Sequence, residues 1–308
     1  EHLIDSCHAL MNYGVDRYKR PQQISLFEEQ KRQQEREDYL QSQVNELWRT
    51  IPSHQQETKK QKIVLCMIVK NESKVIERCF DSLRHFVDEY VICDTGSTDG
   101  TQEVIKKYWK KYNLKGEVLD KPWVSFCHNR QEVFDLGKGR GDYIMTIDAD
   151  EVFAPFENNS AVLNKQIVAI PELRADRVEV KTSYSSIQYN RTQFYKDGLG
   201  WTWNWPIHEV CSASEEGSVE TLTNACVVPT IEGARATDTK RYHRDAIVFE
   251  DWVLDNPEDA RGWFYLAQSY RDAGMPEKGI EPLKNCLKYS MWDEEIYLAA
   301  LRIGRYKV

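Results

Sequence analysis

Residues 143–151 read Tyr143-Ile144-Met145-Thr146-Ile147-Asp148-Ala149-Asp150-Glu151. The apolar, β-branched opening predicts a buried strand, and carboxylates follow it at once. The same figure stands earlier, where Glu89-Tyr90-Val91-Ile92-Cys93 runs into Asp94-Thr95-Gly96-Ser97-Thr98-Asp99-Gly100-Thr101. Upstream, Ile63-Val64-Leu65-Cys66-Met67-Ile68-Val69 is continuously apolar, as expected of a parallel strand covered on both faces. Val75, Ile76, Cys79, Phe80 and Leu83 have helical spacing and predict a helix over 74–86. Further helices are expected from about Thr101 to Tyr112 and near Asn129 to Gly137, with another strand from Gly116 to Leu119. This alternation predicts a parallel sheet with helices on both faces. Such sheets bind ligands beyond the C-terminal ends of their strands, where both acidic clusters lie.

Outward from this centre the texture changes. Gln, Glu, Lys and Arg dominate from Gln22 to Gln61. Leu40, Val44, Leu47 and Trp48 leave a sparse apolar stripe, which predicts one long helix over about 22–50, stopped by Ile51-Pro52. Toward the other end, short strands are expected at Arg177–Lys181 and Gln188–Tyr195. A tryptophan-rich segment follows, Trp201-Thr202-Trp203-Asn204-Trp205-Pro206-Ile207-His208-Glu209, and its rings suit either a binding wall or core packing. A helix from Tyr242 to Leu254 comes next. From Ala260 the spacing fits a tetratricopeptide hairpin, with Trp263, Leu266, Ala267 and Tyr270 on its first helix and Gly279, Leu283 and Cys286 on its second. The expected organisation is a helical N-terminal extension over 1–60, an α/β domain over 61–235 and a helical region over 236–308.

Composition narrows the function. The chain of 308 residues carries 41 Lys and Arg against 49 Asp and Glu, a net charge of −8. An acidic balance disfavours sequence-independent binding of nucleic acid, which needs basic patches. The longest apolar run is far short of a membrane span, and no charged-then-apolar leader opens the sequence. The first residue is Glu rather than Met, consistent with a fragment. None of the eight cysteines forms a Cys-x-x-Cys pair, so zinc and thioredoxin-like readings have no support, and a reducing, cytoplasmic setting is expected. Asn71, Asn158 and Asn190 head Asn-x-Ser/Thr sequons, which arise often by chance.

Asp148-Ala149-Asp150 sets two carboxylates just past a buried strand, where they can hold a hard divalent cation, Mn²⁺ or Mg²⁺, beside a diphosphate. The glycines of 94–101 match neither the dinucleotide nor the Walker spacing, so a cation would have to carry more of the diphosphate charge.

Four segments in order resemble the family-two glycosyltransferases of GT-A fold: Val69-Lys70-Asn71-Glu72, Cys93 to Thr101, His128-Asn129-Arg130 and Ile147 to Glu151. The resemblance covers about 61–235. Trp205 to Glu209 and the helical repeat are similar to the subgroup with tetratricopeptide repeats after the catalytic domain. The resemblance implies an α/β, GT-A nucleotide-sugar-binding domain, with a mostly parallel sheet and helices on both faces, flanked by helical segments. It implies an inverting, metal-dependent transfer from a nucleotide-sugar donor, UDP- or GDP-linked, to a protein or glycan acceptor. Asn71 and Glu72 would contact base or ribose, Asp94 the base, and Arg130 the diphosphate. Asp148 would hold ribose or a metal-bound water, and Asp150 the metal. Glu209 would be the base and His208 a metal or phosphate contact. Relatives often carry a His before a Gly-Ala-Arg-like turn, where this chain has Pro229-Thr230-Ile231-Glu232-Gly233-Ala234-Arg235. Two residues also stand inserted around Lys138-Gly139-Arg140. The competing readings are nucleotidyl transfer, which would want a glycine- and lysine-rich phosphate loop near the first strand, and an inactive nucleotide-binding scaffold whose repeat binds a protein.

Overall fold

A computed structural model describes residue 35 and residues 61–306, apart from 165–166, 186, 215–216, 231 and 236–237. The chain divides into two compact units, Glu1–Lys60 and Gln61–Val308. The helix expected over 22–50 lies outside the described residues, Glu35 excepted; the second unit is described below.

In chain order, β1 (Ile63–Val69), α1 (Ile76–Leu83), β2 (Glu89–Asp94), α2 (Thr101–Tyr112), β3 (Lys115–Asp120), α3 (Phe126–Gly137) and β4 (Tyr143–Met145) form the alternating half. Its strands lie in the order β3-β2-β1-β4, all parallel. Alternation along β1 explains the two covered faces. Leu65, Met67 and Val69 join a core with Ile76, Cys79 and Phe80 of α1. Val64 and Cys66 turn the other way, to Val133 and Phe134 of α3. Cys66 behaves as the small hydrophobe expected of it: it is buried, and burial pushes its thiol well up. The cysteines among the described residues are free.

Past β4 the sheet changes hand. β5 (Glu151–Glu157), β6 (Ser160–Ala161), β7 (Arg177–Tyr184), β8 (Ile187–Lys196) and β11 (Val219–Pro229) complete nine strands in the order β3-β2-β1-β4-β8-β7-β11-β5-β6. The β4–β8, β7–β8 and β5–β11 pairs are antiparallel, and β7–β11 is parallel. A small hairpin of β9 (Thr202–Asn204) and β10 (Val210–Ser212) stands apart. Ladder pairing of β4 ends at Met145, two residues before the expected strand end, although Thr146 N still donates to Gln193 O at 3.0 Å.

The chain closes with α4 (Arg241–Asp255), α5 (Ala260–Asp272), a 3₁₀ turn (Pro276–Gly279), α6 (Ile280–Tyr289) and α7 (Asp293–Tyr306). Phe264 and Ala267 of α5 share a core with Leu283 and Cys286 of α6 and Ala299 of α7. Ile207, from the tryptophan-rich segment, packs with Phe249 and Val253 of α4 and Leu266 of α5. Asp259 strengthens this junction. It caps α5 by accepting from Arg261 N, and its other oxygen accepts from Trp205 Nε1 at 2.9 Å and Trp252 Nε1 at 2.7 Å. The helices therefore form one body with the sheet. No helix among the described residues is long and apolar enough to cross a membrane.

Candidate active site

The ends of β1 and β2 are knitted into one frame. Asp94 is fully buried, and its Oδ1 accepts from Gly96 N at 2.9 Å and Ser97 N at 2.7 Å. Asp99 accepts from Thr101 N and, through its other oxygen, from Ser73 N. Asn71 has φ 59° and accepts from Thr98 N at 2.7 Å. Glu72 N donates to Thr101 Oγ1. Two carboxylate oxygens in this frame, Asp94 Oδ2 and Glu72 Oε2, are buried without a hydrogen-bond partner. Buried polar atoms are seldom left so.

The second acidic cluster meets arginine instead. Arg130, on α3, donates from Nη2 to Asp148 Oδ1 at 2.7 Å and from Nε to Glu209 Oε1 at 2.5 Å. The Arg130 and Glu209 side chains are 11% and 12% exposed, against 43% for Asp148. Burial works against the charge on Arg130, but Asp148 and Glu209 outweigh it and hold the guanidinium further above its ordinary value. Burial likewise opposes ionisation of Asp148, while Arg130 and Arg191 hold its carboxyl below the usual range. Asp150 goes the other way: burial and the neighbouring Asp148 raise it.

Asp148, Arg130, Glu209 and His208 line one cavity of about 370 Å³. Asp150 is not in that lining. It faces the 229–235 segment, where the departure from the family pattern lies: Thr230 N donates to Asp150 O at 3.0 Å, and Gly233 N to Asp150 Oδ2 at 3.3 Å. A Cβ on Gly233 would stand 2.6 Å from that oxygen, so this close approach requires glycine. Asn71, Glu72 and Asp94 belong to the neighbouring frame, and Ala234 N, donating to Glu72 Oε1 at 3.2 Å, ties the two regions together.

His208 has φ 56° and Trp205 φ 64°, left-handed backbone that side chains larger than Gly seldom adopt and that clusters at functional sites. The His208 ring stacks on Tyr265 of α5, centroids 4.2 Å apart, and burial lowers its pKa. Of the three tryptophans, Trp201 is buried, Trp203 lies under Arg130 at 5.4 Å, and Trp205 bonds Asp259.

Three arginines of the cavity were not foreseen: Arg177 on β7, Arg191 on β8, and Arg261 on α5. Arg191 donates to Glu151 at 2.5 Å. Inward-facing positions of strands in a mixed sheet carry no motif, and Arg261 reaches the cavity only because α5 docks on the tryptophan-rich segment. The single available signal was the arginine at an alternating position in Gln188–Tyr195.

Parallel strands crossed over by helices, with paired carboxylates at the strand ends, define an α/β domain of the kind that binds ligands beyond its strand ends. Residues 64–211 match the family model "Glycosyl transferase family 2". Residues 1–91 match a second model, "SpoVR like protein". The uncharacterized protein YcgB of Escherichia coli is 74% identical over 57 residues, 18% of this chain and 11% of that protein. A TPR repeat-containing protein of Synechococcus elongatus is 25% identical over 74% of this chain and 56% of its own length. An uncharacterized glycosyltransferase of Rickettsia prowazekii is 34% identical over 29% of this chain and 28% of that one. The chain thus spans at most 56% of these three relatives. Among solved structures, S. aureus TarS 1–349 in complex with UDP aligns at 13% identity over 80% of this chain and 88% of that chain, with a TM-score of 0.45.

Proposed function

We propose that the chain moves a sugar from a nucleotide-sugar donor to an acceptor, with inversion, and that Glu209 is the base. The observation that carries this reading is the Arg130 bridge. It gathers Asp148 and Glu209 into one cavity, at the strand ends of a domain matching the family-two model.

The donor base fits the β1–β2 frame, where Asp94 Oδ2 is a buried acceptor awaiting an N–H. Arg130 would face the diphosphate. The carboxylates suit a hard cation that diphosphate and water complete, with Asp150 as its anchor and Asp148 shared with Arg130. Among the described residues no three His, Cys, Asp or Glu side chains are grouped to hold a metal by themselves, so a preformed cage is not part of the reading. When bound, Mn²⁺ or Mg²⁺ supplies Lewis-acid stabilisation of the leaving diphosphate. The protein's own step is proton transfer. Glu209 Oε1 is engaged by Arg130, and Oε2 takes the acceptor's proton as that atom bonds to the anomeric carbon and the bond to diphosphate breaks. The helical tail reads as a tetratricopeptide-like hairpin: its expected positions Leu266, Ala267, Leu283 and Cys286 are buried.

The test is a thermal-shift panel of UDP, GDP, TDP and CDP with and without Mn²⁺, on wild type and Asp150→Ala. A ligand that binds only the folded state raises the melting temperature. One nucleotide should protect, only with Mn²⁺, and only in the wild type. No protection by any nucleotide would overturn the transferase reading and leave the helical tail as the place to seek a partner; protection without transfer would favour the scaffold reading.

A further inference from the structure

We propose that α5 supplies Arg261 as an acceptor-recognition residue, and that the acceptor carries an anionic group, phosphate or carboxylate, held by Arg261 together with Arg177. The proposal rests on the transferase reading above and names the substrate class of the same site.

The argument begins with charge. Four arginines line the cavity, from α3, β7, β8 and α5. Two are neutralised: Arg130 by Asp148 and Glu209, and Arg191 by Glu151. Arg177 and Arg261 enter no ion pair among the described residues. The nearest acid in sequence to Arg261 is Asp259, and its oxygens are taken by two indole N–H groups and the backbone of α5. Two guanidinium charges are therefore left over in a partly closed space, where an anion gains most from them.

Arg261 is also held ready. Its guanidinium lies 5.0 Å from the ring centroids of both Trp205 and Tyr265, and Nη2 donates to Tyr265 Oη at 3.2 Å. Its Nε is buried without a partner, a donor left over for a ligand. Two ring contacts and the Tyr265 hydrogen bond restrain the fork, so less freedom remains to be lost on binding. The same Tyr265 ring carries His208, next to Glu209 in sequence. An anion gripped by Arg261 would thus belong to the molecule whose proton Glu209 removes, apart from the diphosphate beside Arg130.

The experiment uses the full chain with saturating nucleoside diphosphate and Mn²⁺, so that the donor's phosphate contacts are occupied. Glucose 6-phosphate, glucuronate and glucose are titrated at constant ionic strength, and the melting temperature is read. At least one anionic sugar should protect and glucose should not; whichever protects identifies phosphate or carboxylate. Arg261→Gln and Arg177→Gln should each weaken that protection about tenfold or more, as expected for loss of a charged hydrogen bond, and Arg261→Lys should restore part of it. Unliganded melting temperatures show which variants fold. Equal protection by glucose, no protection by either anion, or undiminished anion binding by folded Arg261→Gln would overturn the proposal. If the nucleotide itself gives no shift, the transferase reading falls, and the same titrations without nucleotide still decide the role of Arg261.

Discussion

Two acidic clusters occupy equivalent places in this fold, each past the C-terminal end of a parallel strand, and they are spent differently. Asp94 and Asp99 give three of their four oxygens to backbone N–H groups of their own loop and of the β1 loop. Asp148 and Glu151 give theirs largely to guanidinium groups of α3 and β8. The first cluster is a backbone-bonded frame in which Asp94 leaves Oδ2 unsatisfied; the second is an electrostatic device facing a cavity. A carboxylate's role is set by what the fold brings to it, and strand-end position alone does not distinguish scaffold from chemistry.

The sharpest way to break the comparison is to remove one charge joined to the second cluster through Arg130. Glu209→Gln keeps shape and hydrogen bonding to Arg130 but cannot take a proton. Its transfer rate should fall by about 10²–10⁴-fold, measured as product formed from donor and acceptor, with nucleotide binding retained. Next in size is Arg130→Gln, which strands the buried Glu209 carboxylate. Removing one partner of a buried pair costs about 3–5 kcal/mol. Because Asp148 is 43% exposed and screened by solvent, the loss should sit at the low end of that range. Urea unfolding would measure it, and a midpoint equal to that of the wild type would show that the bridge is not structural.

The unequal legibility of the two halves has the same origin. The parallel half was readable because each strand is one apolar run covered on both faces, and Ile63–Val69 has the bounds expected for it. The antiparallel half was harder. The acidic motif reads as a strand terminus, yet β5 starts at Glu151, and Val152, Phe153 and Ala154 are buried in register with β11. Asp148 is legible from its place past a strand, Arg130 and Glu209 only through the family resemblance, and the structure brings the three together. Asp150 lies outside the cavity lining, and its Oδ2 accepts from Gly233 N, a contact between residues some eighty positions apart. Arg177 and Arg261 had no local signal at all, since their role comes from the packing of distant elements into one cavity.

A smaller effect probes the first cluster. Asp94→Ala leaves Gly96 N and Ser97 N without their acceptor, at about 1–3 kcal/mol. Asp94→Asn keeps an oxygen for both and should cost much less. The difference in urea midpoint between the two variants isolates the framing role. If Asp94→Asn is as damaging as Asp94→Ala, the charge matters in the frame as well, and the contrast with the second cluster weakens. Gly233→Ala tests the link at Asp150: a Cβ 2.6 Å from Oδ2 must push the carboxylate or the segment away. Nucleotide protection in the presence of Mn²⁺ should drop by more than the unliganded melting temperature does, because the nearest atom that must give way is the far end of the Asp150 side chain.

A pH-dependent effect falls on Glu72, which belongs to both regions: its N–H bonds Thr101 and its Oε1 accepts from Ala234. Burial pushes its carboxyl from 4.5 up to about 7, with Asp150 adding to the rise against the pull of Ala234 N–H. Between those values the unfolded chain has released this proton and the folded protein has kept it. The stability contributed by the neutral form is therefore complete below about pH 4.5 and is lost as pH rises through about 7. Glu72→Gln fixes the neutral state. Its melting temperature relative to wild type should climb from pH 5 to pH 8 and level off above, because only the wild type carries the cost of a buried charge. A difference independent of pH would mean that Glu72 is ionised throughout, stabilised by groups of the Asp94 frame, and the division between a backbone-bonded cluster and a charge-balanced one would have to be redrawn at this residue.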